Sequence, residues 1–543
     1  MVSRIVFHGK RLINSKQETI LSAAAVIGFI YAISAFLGFI RNRILSGYFG
    51  DSSELGIFFA ADAIPNLILS LIVSGSLSSA FIPVFTKKYK KDPKEAWNLT
   101  SSVLNISLVI FLIITIGVMF GADFISREII ARNSDLTDEN FKLLANLMRV
   151  MMISQIIFIF SSFFTSVLQS FNRFIVPALA PVMYNLGMII FLLLFVKELG
   201  IYAPAYGMIF GVLLHMGIQI PMARSLGFRY FPNLDFKNKG VREIYRLMIP
   251  RTIGQAAQKF LGPLYTNLAL FISASSNVIL TFATDLQNLP VRLFGISIGQ
   301  AALPLLTNAY EDGDISKFRI LLIKTLRQIV FFVLPVSILL FVLRVPMVRL
   351  AFGAKKYSWE ATVMTAYSVG FFSISLVAQA LILILSKAFY ALCDTKTPLK
   401  ISLISIVINV IFALLFVRQM HLGVWSLALA YSIGSAVNFI LLFIYLFKKI
   451  GGLDLYIFVK AVNRISLATL ITGIALYVPL KIMDELVFDT TRTLDLLLLT
   501  GTVSLIGFLT YIFFAHLMKI EELELVTSSI ERIKFRLRRN SVR

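Results

Sequence analysis

An all-α polytopic membrane fold is what this chain predicts, with about fourteen transmembrane helices in two parallel-repeat six-helix lobes plus two C-terminal helices. Three observations carry it. Hydrophobic residues make up 58% of the 543 positions, more than a water-soluble domain tolerates. Apolar runs of about 20 residues recur from end to end, the length a helix needs to cross a bilayer. Strict alternation of polar and apolar residues is lacking, which argues against a membrane β-barrel.

The runs fall at roughly 20–40, 55–82, 99–121, 143–170, 174–196, 200–223, 245–274, 278–306, 320–343, 361–389, 399–417, 421–447, 458–480 and 495–516. The first leads into further spans without a convincing cleavage site and reads as a retained helix. The basic stretch between the sixth and seventh runs, with FPNLDF as a turn, divides the chain. The expected parts are an N-terminal lobe at 1–223, a cytoplasmic basic connector at 224–244, a C-terminal lobe at 245–447, a final helix pair at 458–516 and a basic tail at 517–543. A weak internal repeat supports the division. Ala80, Pro83, Thr86 and Tyr89 match Ala301, Pro304, Thr307 and Tyr310 at an offset of 221, and Pro177 matches Pro398 at the same offset. A shift of six helices preserves orientation, so the repeat is parallel. In such folds the site lies between lobes near mid-membrane.

The net charge of +22 would suit nucleic acid if it were clustered on a soluble face. It is instead sorted by loop. With both termini cytoplasmic, inward segments hold about 31 basic residues, outward loops about 13 and spans about 7. This pattern is the positive-inside rule, and it excludes nucleic acid as a partner. The tail cluster Arg532, Lys534, Arg536, Arg538 and Arg539 also suits membrane lipids. The single cysteine, Cys393, rules out an internal disulfide. The four histidines are scattered, and no P-loop, HExxH or nucleophile elbow appears. An enzyme and an ATP-driven pump are both unsupported. No cofactor is expected, and coupling to the membrane potential or to a cation stays open.

Ionisable groups inside spans are costly and usually face a cavity or a partner. The second run holds Asp62 and Asn66 on either side of Pro65. The seventh holds Arg251, Gln255, Gln258 and Lys259, mostly on one face at helical spacing. The eighth holds Asp285, Asn288 and Arg292, again on one face. By depth, Lys259 and Arg292 lie near mid-membrane, Asp62 and Asp285 in the outer half, and Arg251 near the inner edge, where it can also serve as an interfacial anchor. Lys259 and Arg292 read either as anion ligands or as structural partners of Asp285 or Asp62. Arg41 and Arg43 are expected to end the first helix at the outer surface. Pro65, Pro250, Pro263 and Pro290 are expected to interrupt the second, seventh and eighth helices.

Several blocks resemble one family. They are SAFLGFIRNRIL (Ser34–Leu45), PNLILSLIVSGSLSSAFIPVF (Pro65–Phe85), FNRFIVPALAPVMYNLGMI (Phe171–Ile189), GISIGQAALPLLTNAY (Gly295–Tyr310), AYSVGF (Ala366–Phe371) and CDTKTPLK (Cys393–Lys400). Together they resemble the MurJ (MviN) lipid II flippases of the multidrug/oligosaccharidyl-lipid/polysaccharide exporter superfamily. The resemblance implies a bacterial cytoplasmic membrane protein with helices 1, 2, 7 and 8 around a cationic cavity, and a groove for a polyprenyl tail at helices 13 and 14. The cargo would be lipid II, moved from inner to outer leaflet by alternating access, with cell-wall synthesis proteins as partners. Arg41 matches a family arginine. Ala35, Leu69 and Asp285 stand where the family has arginines, and Gly56 and Asn288 replace acidic residues. Arg251, Lys259 and Arg292 then read as a relocated anion site. Two alternatives remain: a flippase or exporter for another polyprenyl-linked glycan or a small solute, and a non-transporting envelope-assembly scaffold.

Overall fold

The computed structural model describes residues 20–72, 77–490 and 492–524. Among them the regular elements are all helical. Packing divides the chain into two compact units, residues 1–278 with 354–358, and residues 279–353 with 359–543.

In the first unit α1 is Ile20–Phe49. The second span is broken at Asp62 into α2 (Ser53–Ala61) and α3 (Ala63–Ile72), and α4 is Leu77–Tyr89. Then follow α5 (Pro93–Phe124), α6 (Asp138–Ser170), α7 (Ile175–Leu199), α8 (Tyr202–Gly217), the short α9 (Ile220–Ser225) and α10 (Lys239–Ile272). Helix α11 (Ala274–Pro290) crosses from one unit to the other at residue 278. The second unit continues with α12 (Ser297–Glu311), α13 (Ile315–Val342), the short α14 (Arg344–Phe352), α15 (Trp359–Ala391), α16 (Lys396–Leu414), α17 (Trp425–Lys449), α18 (Leu455–Leu486) and α19 (Thr493–Leu517). Wider π turns follow α5 at Ile125–Ile130, α11 at Val291–Ile296 and α16 at Leu415–Gln419.

Thirteen helices among the described residues are long and apolar enough to cross a membrane. Helix α10 stands outside that set. At 34 residues it is long enough, but its polar residues dilute the apolar run. Counting it gives the expected fourteen.

Helix starts are set locally. The Asp92 carboxylate accepts from the backbone N–H of Lys94 and Glu95, with Pro93 in the first turn of α5. Thr137, Asp314 and Asp454 cap α6, α13 and α18 in the same way. The CDTKTPLK block is such a device. Cys393 takes a left-handed φ of 56°, and Asp394 then accepts from the backbone of Lys396 and Thr397, from the Thr397 hydroxyl and from the Lys449 ammonium. Burial alone would raise the Asp394 carboxyl, but the Lys449 bond and the two from Thr397 outweigh it and hold the group well below the usual carboxylate range.

Two expectations change. Helix α1 does not stop near residue 40 but runs to Phe49, so Arg41 and Arg43 sit within it. Helix α10 runs unbroken through Pro250 and Pro263; the interruptions at Pro65 and Pro290 are real, the first just after the α2–α3 break and the second at the entry to a π turn. Helix α10 packs within the first unit. Three sets of bonds hold it there. The Tyr245 hydroxyl bonds Ser107 Oγ at 2.8 Å and donates to the Val103 carbonyl. Thr252 donates to the Leu71 carbonyl at 3.1 Å. Asn267 donates to the carbonyls of Ile130, which ends the π turn, and of Arg132 beyond it. The connector before α10 is clamped as well, because Asn105 donates to the carbonyls of Phe231 and Asn233.

The larger apolar core of the second unit is built on α13 and α15. Leu326, Ile329, Val330 and Val333 of α13 meet Leu376, Ala380 and Ile384 of α15, with Ile465 and Ala468 of α18 and Tyr511 of α19 closing it. The Tyr511 hydroxyl donates to the Phe331 carbonyl at 2.8 Å. The repeat pairs occupy like elements: Pro83 and Pro304 lie inside α4 and α12, and Pro177 and Pro398 in the first turns of α7 and α16.

Helices α7 and α8 approach through glycine. A Cβ on Gly211 would lie 2.6 Å from the Tyr184 carbonyl oxygen, and one on Gly187 would lie 2.8 Å from the Gly211 Cα. Small residues let helix backbones come this close in a membrane. Gly211→Val should therefore destabilise the purified protein by ~1–3 kcal/mol or more in thermal unfolding. Gly117→Ala, where a Cβ meets nothing within 4 Å, should be neutral or stabilising. Equal melting temperatures for Gly211→Val and wild type would refute the close-packing account.

Candidate substrate-binding site

In the first unit the polar cluster is built on α1 and α7. The Arg41 guanidinium is half-buried. Its Nε donates to Asn42 Oδ1 at 3.1 Å and its Nη1 to Asn185 Oδ1 at 3.2 Å. Nη1 also lies 3.8 Å from the Met188 sulfur. The Asn185 amide turns its N–H groups the other way, to the Ser34 carbonyl at 3.1 Å, the Ser34 hydroxyl and the Pro181 carbonyl. Asn185 thus stitches α7 to α1 and holds the guanidinium against the α1 surface. The Pro181 carbonyl lies one turn back on α7, so that bond closes onto the residue's own helix.

Asp62 stands at the break between α2 and α3. It is the C-terminal cap of α2, with its backbone N–H on the Ala60 carbonyl. Asn66 Nδ2 reaches Asp62 Oδ2 at 3.4 Å, one helical turn on. Asp62 Oδ1 is buried without a hydrogen-bond partner among the described residues. Arg41 lies within electrostatic reach of both Asp62 and the Tyr184 phenol. The first unit therefore brings Arg41, Asp62 and Asn66 into one neighbourhood, with Asn185 as the residue that sequence reasoning missed. Asn185 lies in the MYNLGMI part of a family block, and a lone amide in an apolar run was the signal for it.

Gly56 has a steric reason to lack a side chain. A Cβ there would lie 2.0 Å from the Ala274 carbonyl oxygen, and the Gly56 carbonyl accepts from Asn277 Nδ2 at 2.8 Å. The start of α11 rests directly on α2 at that point.

On α10, Lys259 is exposed, while the side chains of Arg251, Gln255 and Gln258 lie outside the described residues. In the second unit Asp285 and Asn288 are half-buried on α11. Arg292 is exposed and falls in the π turn, so it does not continue the α-helical face of Asp285 and Asn288 as the spacing had suggested. Gln287, also on α11, is buried, and its Oε1 accepts from Gln379 Nε2 at 3.1 Å. Gln379 also bonds Ser375 Oγ, which Ser432 bonds in turn at 2.8 Å. This chain of amides and hydroxyls ties α11, α15 and α17 together.

Chemically, the first cluster offers a fixed guanidinium, whose Nη2 makes no bond among the described residues, beside a carboxylate with one unfilled oxygen. It can receive an anionic oxygen at Arg41 and a donor or cation at Asp62. Its geometry depends on Asn185. Asn185→Ala should lower the stability of the purified protein by ~1–3 kcal/mol, because the Ser34 and Pro181 acceptors and one Arg41 donor lose a partner. Met188→Leu, which removes only the weak sulfur contact, should cost less than ~1.5 kcal/mol. Equal melting temperatures for Asn185→Ala and wild type would show that the amide is not the organiser.

Comparison with known proteins places the chain. The sequence model of the family described as Lipid II flippase MurJ matches residues 45–494. A protein of Buchnera aphidicola subsp. Acyrthosiphon pisum described as a probable lipid II flippase MurJ is 31% identical over 466 residues, 84% of this chain and 90% of that protein. The lipid II flippase MurJ of Burkholderia cenocepacia is 27% identical over 427 residues, covering 77% and 82%. Among solved structures, a lipid II flippase MurJ in an inward closed conformation superposes with a TM-score of 0.77 at 23% identity, covering 91% of this chain and 98% of that one. An inward-facing MATE family transporter of the MOP superfamily superposes with a TM-score of 0.64 at 17% identity, covering 78% and 94%. Those two likenesses fix the fold, and the family model with the Buchnera relative fixes the lineage: this multi-pass membrane protein belongs to the MurJ lipid II flippase family.

Proposed function

We propose that the chain is a transporter that moves lipid II, the undecaprenyl-pyrophosphate-linked peptidoglycan precursor, from the inner to the outer leaflet of the bacterial cytoplasmic membrane. The observation that carries this reading is the family match across residues 45–494. The mechanism is alternating access without covalent chemistry. A pyrophosphate entering a low-dielectric cavity exchanges its water for charged donors, and the chain supplies Arg41, Arg251, Lys259 and Arg292 on the helices concerned. Gln255, Asp62, Asn66, Asp285 and Asn288 supply the polar remainder. The polyprenyl tail lies along α18 and α19, whose exposed faces are apolar at Leu467, Leu470, Ile474, Leu505 and Leu509. Cell-wall synthesis proteins are the partners this role calls for.

A second reading, transport of another polyprenyl-linked glycan, is favoured by Ala35 and Leu69 standing where the family resemblance implies arginine. A proteoliposome assay decides between the two. Lipid II should be translocated, and excess of a different polyprenyl-pyrophosphate glycan should compete poorly. Lys259→Ala and Arg292→Ala should each depress transport about 10- to 100-fold at normal abundance, because each removes a charge-assisted hydrogen bond. Near-wild-type transport in both variants would refute the relocated anion site while leaving the cargo assignment intact.

Orientation follows from the loop charges, with both termini in the cytoplasm. Cysteines placed at the exposed positions Lys90 and Lys237, in a Cys393→Ser background, should resist an impermeant thiol reagent added to intact cells. Cysteines at the exposed positions Asp135 and Asp489 should react. Labelling at Lys90 would reverse the topology.

A further inference from the structure

A cavity of about 200 Å³ lies where the start of α18 meets the turn that follows α19. It is too small for a whole lipid and is the size of a headgroup; drug-sized pockets run to ~300–1,000 Å³. Its lining carries charges of both signs. Arg327 of α13, a buried cation, sits between two carboxylates: its Nη2 bonds Glu521 at 2.9 Å and its Nε lies 2.6 Å from Glu522 Oε1. Glu521 is exposed, so the enclosed charges are Arg327 and Glu522. Glu522 is only 5% exposed, and its second oxygen, Oε2, is buried with no hydrogen-bond partner among the described residues. A buried carboxylate oxygen without a donor is costly, and its presence beside a cavity marks a place for an N–H group.

The mouth is cationic. Lys460 and Arg464 stand one turn apart on α18, both exposed, and Lys519 faces them from beyond α19. Lys519 takes a left-handed φ of 52°, a conformation that normally calls for glycine. The turn is closed by the Ile520 N–H on the Ala515 carbonyl at 3.0 Å, and Arg464 Nη1 reaches the Lys519 carbonyl at 3.5 Å. That turn is what carries Glu521 and Glu522 back under α13. Tyr456, 73% exposed, and Ile457 complete the lining, with the Lys460 ammonium 5.5 Å from the Tyr456 ring centre.

We propose that this pocket seats the headgroup of a bilayer phospholipid bearing a primary ammonium, such as phosphatidylethanolamine. The phosphate rests on Lys460, Arg464 and Lys519, and the ammonium donates to Glu522 Oε2. The cations alone would accept any phospholipid. The unfilled Glu522 oxygen adds the preference, because a quaternary ammonium has no N–H to give and a glycerol headgroup has no charge to offset.

The test uses the full-length purified protein in detergent. Phosphatidylethanolamine, phosphatidylcholine and phosphatidylglycerol of matched chain length are titrated in, and bound lipid is counted by native mass spectrometry. Phosphatidylethanolamine should bind about tenfold or more tightly than the other two. Glu522→Gln should bring it down to the phosphatidylcholine level. Because Glu522 also holds Arg327, the double variant Lys460→Ala/Arg464→Ala, at exposed positions, provides a test independent of folding, and it should weaken all three lipids. Equal affinity for phosphatidylethanolamine and phosphatidylcholine in the wild type, or undiminished binding by the double variant, would overturn the proposal. So would displacement of the lipid by an equal concentration of free phosphoethanolamine, which would assign the pocket to a soluble ligand, or by polyprenyl pyrophosphate, which would assign it to the transported cargo.

Discussion

The structure depends on one constraint: inside hydrocarbon, a polar group must find its partner within the protein. Serines and threonines answer it locally. Thr100, Ser102, Ser337, Ser373, Ser405, Thr469 and Thr500 each donate to the carbonyl four residues back on their own helix. The larger amides also reach a neighbouring helix, so each becomes a link between helices. Asn185 joins α7 to α1, Asn267 joins α10 to the end of α5, and Gln379 joins α15 to α11. The apolar surface decides that the helices lie together. The few amides decide which helices do so, and at what rotation.

The same constraint separates what could be read from the sequence and what could not. Fourteen spans and an all-helical fold are written in the lengths of the apolar runs. The allegiance of α10 is not, because Tyr245, Thr252 and Asn267 show their meaning only when the carbonyls of Val103, Leu71 and Ile130 stand opposite them. Arg41 was expected at a solvated helix end because the apolar run stops there. The helix runs on, since nothing in RNRILSGYF breaks it, and the charge is met by Asn185 from another helix. The family blocks carried the lineage correctly but not the work of their residues. CDTKTPLK is a helix-start clamp, and MYNLGMI holds the organiser of the first cluster. Gly56 looked like a lost carboxylate; in the structure it is a point of backbone contact with α11.

Charge in this protein is handled in two distinct ways. At the ends of spans it is paired and rigid: Asp394 is held by Lys449, and Arg149 bonds Asp123 at 2.7 Å. Within the spans it is only partly met, as with the second oxygen of Asp62. A fully satisfied group gains little from a ligand, whereas a partly satisfied one gains a hydrogen bond it otherwise lacks. The polar groups that a passing cargo can use are therefore the ones the fold leaves incomplete.

The three π turns have a consequence for how the chain can change in length. A π turn holds one residue more than the α turn it replaces. Deleting a residue from a continuous helix turns everything beyond it by ~100° and moves its buried face into lipid. Deleting one from Ile125–Ile130, Val291–Ile296 or Leu415–Gln419 lets the turn relax to ordinary α geometry and leaves the faces on either side in register. Those three segments are where descendants of this gene can lose a codon and still pack the same helices.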